Sequence, residues 1–200
     1  VATYRRHANI AQSTPVKTEV LRAMSAVLDE KLGDAKAAAD GLKETLTVDG
    51  EDLQALTYLS ALHERLEQWV ELVEALSRRA EITHDEAERV DLHRRIGEIA
   101  LGKLGAPEVA EKRLMKALEL DPHNGGVMMA LVELYKQRKE WLRAANMLAD
   151  AEKATTNRME KARLLYDAGE IQHLYLERLD KAVDCFAKAL LVDPEHVPTA

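Results

Sequence analysis

The feature that most constrains this chain is that it repeats itself at a step of 72 residues with no insertion, as Asp49, Asp121 and Asp193 show. Leu32, Leu104 and Leu176 keep the same step, as do Ala38, Ala110 and Ala182. So do Leu42, Leu114 and Phe186, and then Leu46, Leu118 and Leu190. In the other half of the unit Leu59 answers to Leu131, Leu62 to Leu134, Trp69 to Trp141 and Leu76 to Leu148. Self-similarity at a fixed period marks repeat architectures, in which each unit leaves an apolar stripe that only a stacked neighbour buries.

Residues suited to helix ends follow the same step. Ser13, Asp85 and Asn157 each precede an apolar-periodic run, where a side-chain oxygen satisfies N–H groups of the first helical turn. Glu88 and Glu160 follow three residues after Asp85 and Asn157, close to a capping box. Asp52, Asn124 and His196 make a second register of caps. Gly33 and Gly105 stand where a helix should stop, and Pro107 and Pro122 fall in turns. The spacing predicts four helices per unit, at 86–103, 107–120, 125–138 and 141–155 in the middle unit. Val127, Met128, Leu131, Leu134 and Tyr135 form one apolar stripe of the third. The reading divides the chain into the end of a preceding repeat (1–12), two double repeats (13–84 and 85–156) and a truncated third (157–200). Residues 1–11 align with 73–83, so the chain reads as a slice of a longer array.

Composition agrees with helices and narrows the partners. Aromatic residues are only 4% of the 200, which gives little support to a sheet. The net charge of −7, from 28 basic and 35 acidic side chains, argues against nucleic acid or anionic lipid as the main partner. No apolar stretch has the ~20 residues that a membrane helix needs. The single cysteine, Cys185, rules out an internal disulfide and a cysteine-based zinc site.

Residues within this framework resemble the tetratricopeptide family. Ala182, Phe186, Ala189 and Pro194, preceded by Gly169, are similar to its second-helix signature. Ala110, Leu114, Ala117 and Pro122, preceded by Gly97, repeat it. Leu131, Tyr135, Trp141, Ala144, Leu148 and Ala151 match in the alternate half-unit, with 34 residues from Ala110 to Ala144. The first unit departs most, with Thr45, Gly50 and Leu72 at signature places. The resemblance implies an all-α fold, a right-handed α-solenoid of stacked antiparallel helix pairs. Small alanines would let paired helices approach closely, with Trp69 and Trp141 filling the space beside them.

The sequence carries little that suggests chemistry. No His-Glu-x-x-His pattern occurs, and no two of the seven histidines lie four apart on one helix. They read as scattered solvated side chains. Cys185 has no histidine at helical contact spacing, and Gly125-Gly126 lacks the strand–turn–helix context of a phosphate loop. Neither catalysis, a metal nor a cofactor is expected.

The resemblance further implies a groove lined by the first helix of each pair, with partner-binding positions at Arg22, Tyr58, Arg94, Arg95, Met129, Glu133, Tyr166, Asp167 and Glu170. The asparagines that the family's carboxylate-clamp variant uses to grip acidic tails are absent. The expected role is a non-catalytic scaffold for a protein or extended peptide, whose exposed ends invite end-to-end self-association. An alternative is the recruiting arm of an enzyme whose catalytic domain lies outside this sequence. An RNA-binding helical repeat fits the acidic charge less well.

Overall fold

The computed structural model describes residues 1–194, and these form eleven α-helices and no strand. In chain order they are α1 (Ala2–Ile10), α2 (Thr14–Glu30), α3 (Ala35–Val48), α4 (Leu53–Arg65), α5 (Trp69–Ile82) and α6 (Glu86–Gly102). Then come α7 (Pro107–Leu120), α8 (Gly125–Gln137), α9 (Trp141–Ala154), α10 (Arg158–Leu174) and α11 (Leu179–Val192). The four helices expected in the middle of the chain are α6 to α9, each ending within a residue of its expected bound, where last turns fray. α2, α6 and α10 each hold 17 residues, and α3, α7 and α11 each hold 14.

Four helix starts use the caps legible in the sequence. Asp52 accepts from the Ala55 N–H at 2.9 Å, Asn124 from Val127 at 3.1 Å and Asn157 from Glu160 at 3.2 Å. Asp85 accepts from Ala87 at 2.9 Å and from Glu88 at 3.4 Å. Ser13 stands at the start of α2 but makes no side-chain cap bond, and Pro15 holds the second helical position. The capping boxes are not closed by their glutamates. Glu88 instead takes the Arg79 guanidinium, with Nε at 2.9 Å, and Glu160 accepts the Thr155 hydroxyl at 2.7 Å. His196, the remaining expected cap, lies outside the described residues.

Five of the helices stop at left-handed residues. Gly33 has φ 67° and Gly105 φ 58°, a region that glycine enters without a Cβ penalty. Glu177 (φ 53°) holds the next position at that step, while Glu67 (φ 54°) and Lys139 (φ 58°) end α4 and α8 in the same way. The chain then turns back at once: the Gln68 N–H reaches the His63 carbonyl at 2.9 Å and the Glu140 N–H reaches Tyr135 at 2.8 Å.

The chain forms two compact units, residues 1–92 and the residues from 93 onward, dividing within α6. In the first, α1 packs on α2, α2 on α3, α3 on α4 and α4 on α5. Ala38, Ala39, Leu42 and Leu46 of α3 close one core with Ala55, Leu56, Leu59 and Leu62 of α4. Each leucine fully buried there stabilises by roughly 1.5–3 kcal/mol. In the second unit α7 to α11 pack in succession, with Leu114, Val127, Leu131, Leu134 and Leu148 fully enclosed. Close approach within the pairs rests on glycine as well as alanine: a Cβ on Gly97 would fall 2.6 Å from Leu114, and one on Gly169 2.6 Å from Phe186.

Two expectations about side chains need correction. His63 and His93 are not solvated; both are 1% exposed. The stripe that buries Leu56 and Leu59 continues, one turn on, to His63, whose Nδ1 lies 2.6 Å from Gln68 Oε1. His93 takes the place that buried Leu21 and Leu165 hold 72 residues to either side. Nor does Trp141 simply fill space beside the alanines. It is half-buried, and its ring stacks on Tyr175 with centroids 3.8 Å apart and planes 12° apart.

Candidate functional site

Arg22 and Tyr58 belong to the first unit, and both turn their polar atoms inward. Arg22 Nη1 donates to Asp52 Oδ1 at 3.3 Å and also to Gln54 Oε1. The Tyr58 hydroxyl donates to Asp29 Oδ2 at 2.9 Å, and the Arg65 guanidinium bonds the other oxygen of that carboxylate. Burial, reinforced by the bond to Asp29, pushes the Tyr58 phenol up to about 12. Arg65 holds the Asp29 carboxyl below its usual range, against the effect of burial. Two helix pairs are thereby tied together within this unit by charge-assisted bonds.

The remaining seven expected residues lie in the second unit. Arg94 and Arg95 sit half-buried on α6, and Arg94 Nη1 meets Glu98 Oε1 at 2.7 Å, one turn along the helix. Met129 is half-buried on α8. The acidic residues converge. Glu133 of α8 and Asp167 and Glu170 of α10 line one recess of about 510 Å³. Lys136 and Gln137 complete its α8 side, Ile171 and Leu174 give it an apolar floor, and Trp141 and Tyr175 form a wall. Tyr166 stands next to it: its hydroxyl donates to Glu170 Oε1 at 3.2 Å, and its ring is tilted against Phe186 at 5.4 Å. Partial burial and the nearby Glu170 carboxylate push that phenol up.

The helical period explains why these groups meet. Asp167, Glu170, Ile171 and Leu174 recur at three and four residues, so α10 presents them along one face. Glu133 and Gln137 do the same on α8, where Gln137 Nε2 donates to Glu133 Oε1 at 3.1 Å. Three carboxylates and one ammonium leave the recess negative beside an exposed aromatic edge, Tyr175 being 51% exposed. A guanidinium or ammonium entering it would find carboxylate acceptors beside the stacked aromatic pair. Sequence reasoning reached the carboxylates but missed Tyr175 and the wall that it builds with Trp141. Tyr175 has Lys103 as its counterpart, so it stands outside the repeating pattern.

Other groups offer less. Cys185 is half-buried, and burial pushes its thiol up, away from the reactive thiolate. Among the described residues, no group of three or more His, Cys, Asp or Glu is placed to hold a metal ion. No helix among them is long and apolar enough to cross a membrane.

Residues 162–196 match the sequence model of the tetratricopeptide repeat. No curated protein matches the chain. Among solved structures, YrrB, described as a TPR protein with an unusual peptide-binding site, is 18% identical with a TM-score of 0.58, over 88% of this chain and 87% of its own. MamA is 16% identical with a TM-score of 0.62, over 92% and 97%. BtubC (BKLC) from P. vanneervenii is 17% identical with a TM-score of 0.55, over 100% and 92%. At such identities the likeness is one of fold: an all-α solenoid of helix pairs.

Proposed function

We propose, from the premise that this chain belongs to the tetratricopeptide-repeat family, that it is a non-catalytic scaffold holding an extended segment of another protein. Helix-pair arrays offer long surfaces rather than enclosed pockets, and function on such a fold resides in the site it carries. The observation that carries the proposal is the recess of Glu133, Asp167, Glu170, Trp141 and Tyr175. A lysine or arginine side chain of the bound segment enters it, flat against the aromatic wall, while Ile171 and Leu174 take an apolar neighbour. Arg94 and Arg95 on α6 receive an acidic part of the same segment, so that the pattern of charge sets its direction. Arg22 and Tyr58, already bonded within their own unit, frame a second contact region.

Exposed charges are each worth about 0.2–1 kcal/mol, so orientation and encounter rate respond more than affinity. The stacked aromatic pair supplies the anchor, since aromatic side chains carry much of the energy of interfaces. With a partner captured by pulldown, Arg94→Glu combined with Arg95→Glu should weaken binding several-fold and flatten its salt dependence, leaving helical circular dichroism intact. Unchanged affinity and salt dependence in a folded double variant would contradict the oriented seat.

A further inference from the structure

Three of the six methionines meet in one recess of the second unit, which shares no lining residue with the acidic one. Met115 of α7, Met128 at the start of α8 and Met147 of α9 line a hollow of about 430 Å³, with Leu118 beside them. Met128 is buried and Met147 half-buried, while Met115 is 38% exposed. Glu119, His123 and Asp150 line it from exposed places, and Lys153 bonds Asp150 at 3.0 Å.

The first unit has a recess at the same register, and the contrast shows what the methionines add. There α3, α4 and α5 enclose about 370 Å³. Lys43, Leu56 and Ala75 hold the places of Met115, Met128 and Met147, and Leu46 holds that of Leu118. Helices of this register therefore pack without any thioether. Charge changes too: at three shared places Lys43, Thr47 and Arg78 carry two positive charges, whereas Met115, Glu119 and Asp150 carry two negative ones. Methionine is unbranched and polarisable, adapts to varied shapes and makes favourable sulfur contacts with aromatic rings. A hollow of a few hundred Å³ with apolar walls and a few polar groups is the usual form of a binding site. The carboxylates at this one suit a cation next to the apolar group.

We infer that the methionine recess is a second binding seat, one that takes an aromatic side chain flanked by basic residues in a partner polypeptide. The ring lies among the thioethers of Met115, Met128 and Met147, and its basic neighbours meet Glu119 and Asp150. The matching recess of the first unit, with Lys43 and Arg78 at these places, does not take such a segment. Binding here is separable from binding at the acidic recess, which contains no methionine.

The test follows the methionine methyl signals of the whole chain by NMR as short end-blocked peptides are added. A peptide with tryptophan between two lysines should move the signals of Met115, Met128 and Met147 to saturation, because a nearby ring shifts them. Those of Met24, Met129 and Met159 should stay in place. Alanine instead of the tryptophan should abolish the shifts, and glutamates instead of the lysines should weaken binding at least tenfold. Met115→Lys combined with Asp150→Arg writes in the first unit's residues at two exposed places, so circular dichroism should stay unchanged. This double variant should bind the tryptophan peptide at least tenfold more weakly, with Met128 and Met147 still reporting. The inference is overturned if the three signals do not move, or if all six move together. It is equally overturned if the alanine or glutamate peptide, or the folded double variant, binds as the first pair does.

Discussion

The triples α3–α4–α5 and α7–α8–α9 keep the same register, but the polar groups differ at the place where their helices meet. In the first, His63 and Gln68 bond each other, and Ala39 and Leu66 hold the other two places. In the second the corresponding residues are Tyr135, Glu140, Glu111 and Arg138, and Arg143 stands where the first has Glu71. Glu111 accepts from Arg138 at 2.7 Å and also from Arg143, while Arg143 donates to the Tyr135 hydroxyl at 2.7 Å and to Glu140 at 2.7 Å. Its guanidinium carbon lies 4.0 Å from the Tyr135 ring centroid. The first unit places its own cluster elsewhere, at Asp29, Tyr58 and Arg65, whose counterparts in the second are Leu101, Ala130 and Gln137. The repeat therefore dictates the apolar contacts, while polar clusters vary from unit to unit. A buried carboxylate is tolerated at such a place only with its hydrogen-bonding partners beside it.

That principle gives the largest expected effect. Ala39→Glu would transplant the Glu111 carboxylate to a 3% exposed site that has no guanidinium, at a cost of about 3 kcal/mol or more. Glu111→Ala should cost less, about 1–2 kcal/mol, because Arg138 and Arg143 retain access to solvent. Urea denaturation of both variants measures the two. Equal costs would break the comparison.

Acid should then sharpen it. The Asp29 carboxyl is depressed in the folded chain by Arg65, so its stabilisation is complete above the unfolded value of about 3.9 and is lost as pH falls through the folded value. Asp29→Asn should have a flatter dependence of stability on pH over that acid range than the wild type. Glu111 adds the same sign of dependence: burial pushes its carboxyl up, but Arg143 and Arg138 outweigh burial and hold it low. Parallel acid titrations of wild type and Asp29→Asn would contradict the assignment.

The smallest effect concerns the caps. Asn157→Ala should cost about 1 kcal/mol and Ser13→Ala only a few tenths, since Asn157 bonds a free N–H at 3.2 Å and Ser13 bonds none. Thermal denaturation of the pair would show it, and equal losses would mean that Ser13 caps in solution.

How much was legible in the sequence differs by level. Helix bounds were open to reading because caps, left-handed stops and apolar stripes all recur at one step. His63 was in principle open too, since Tyr135 of the same register was already placed in a buried stripe; the polar letter hid it. The recess was half legible. The period brings Asp167 and Glu170 onto one face of α10, but the stack of Trp141 on Tyr175 joins the start of one helix to the end of another, a contact that no spacing along the chain announces. For the same reason the capping boxes misled: Glu88 and Glu160 have the right spacing, yet Arg79 and Thr155 lie closer in the folded chain.

The acidic recess is proposed as the seat of a basic segment. Its most direct test is isothermal titration of the whole chain with two extended peptides of equal length, one carrying arginine and one glutamate at the central position. The arginine peptide should bind the wild type at least tenfold more tightly, and Glu133→Lys combined with Glu170→Lys should reverse the order while circular dichroism stays unchanged. Equal affinity for both peptides, or a preference that survives the charge reversal, would contradict it.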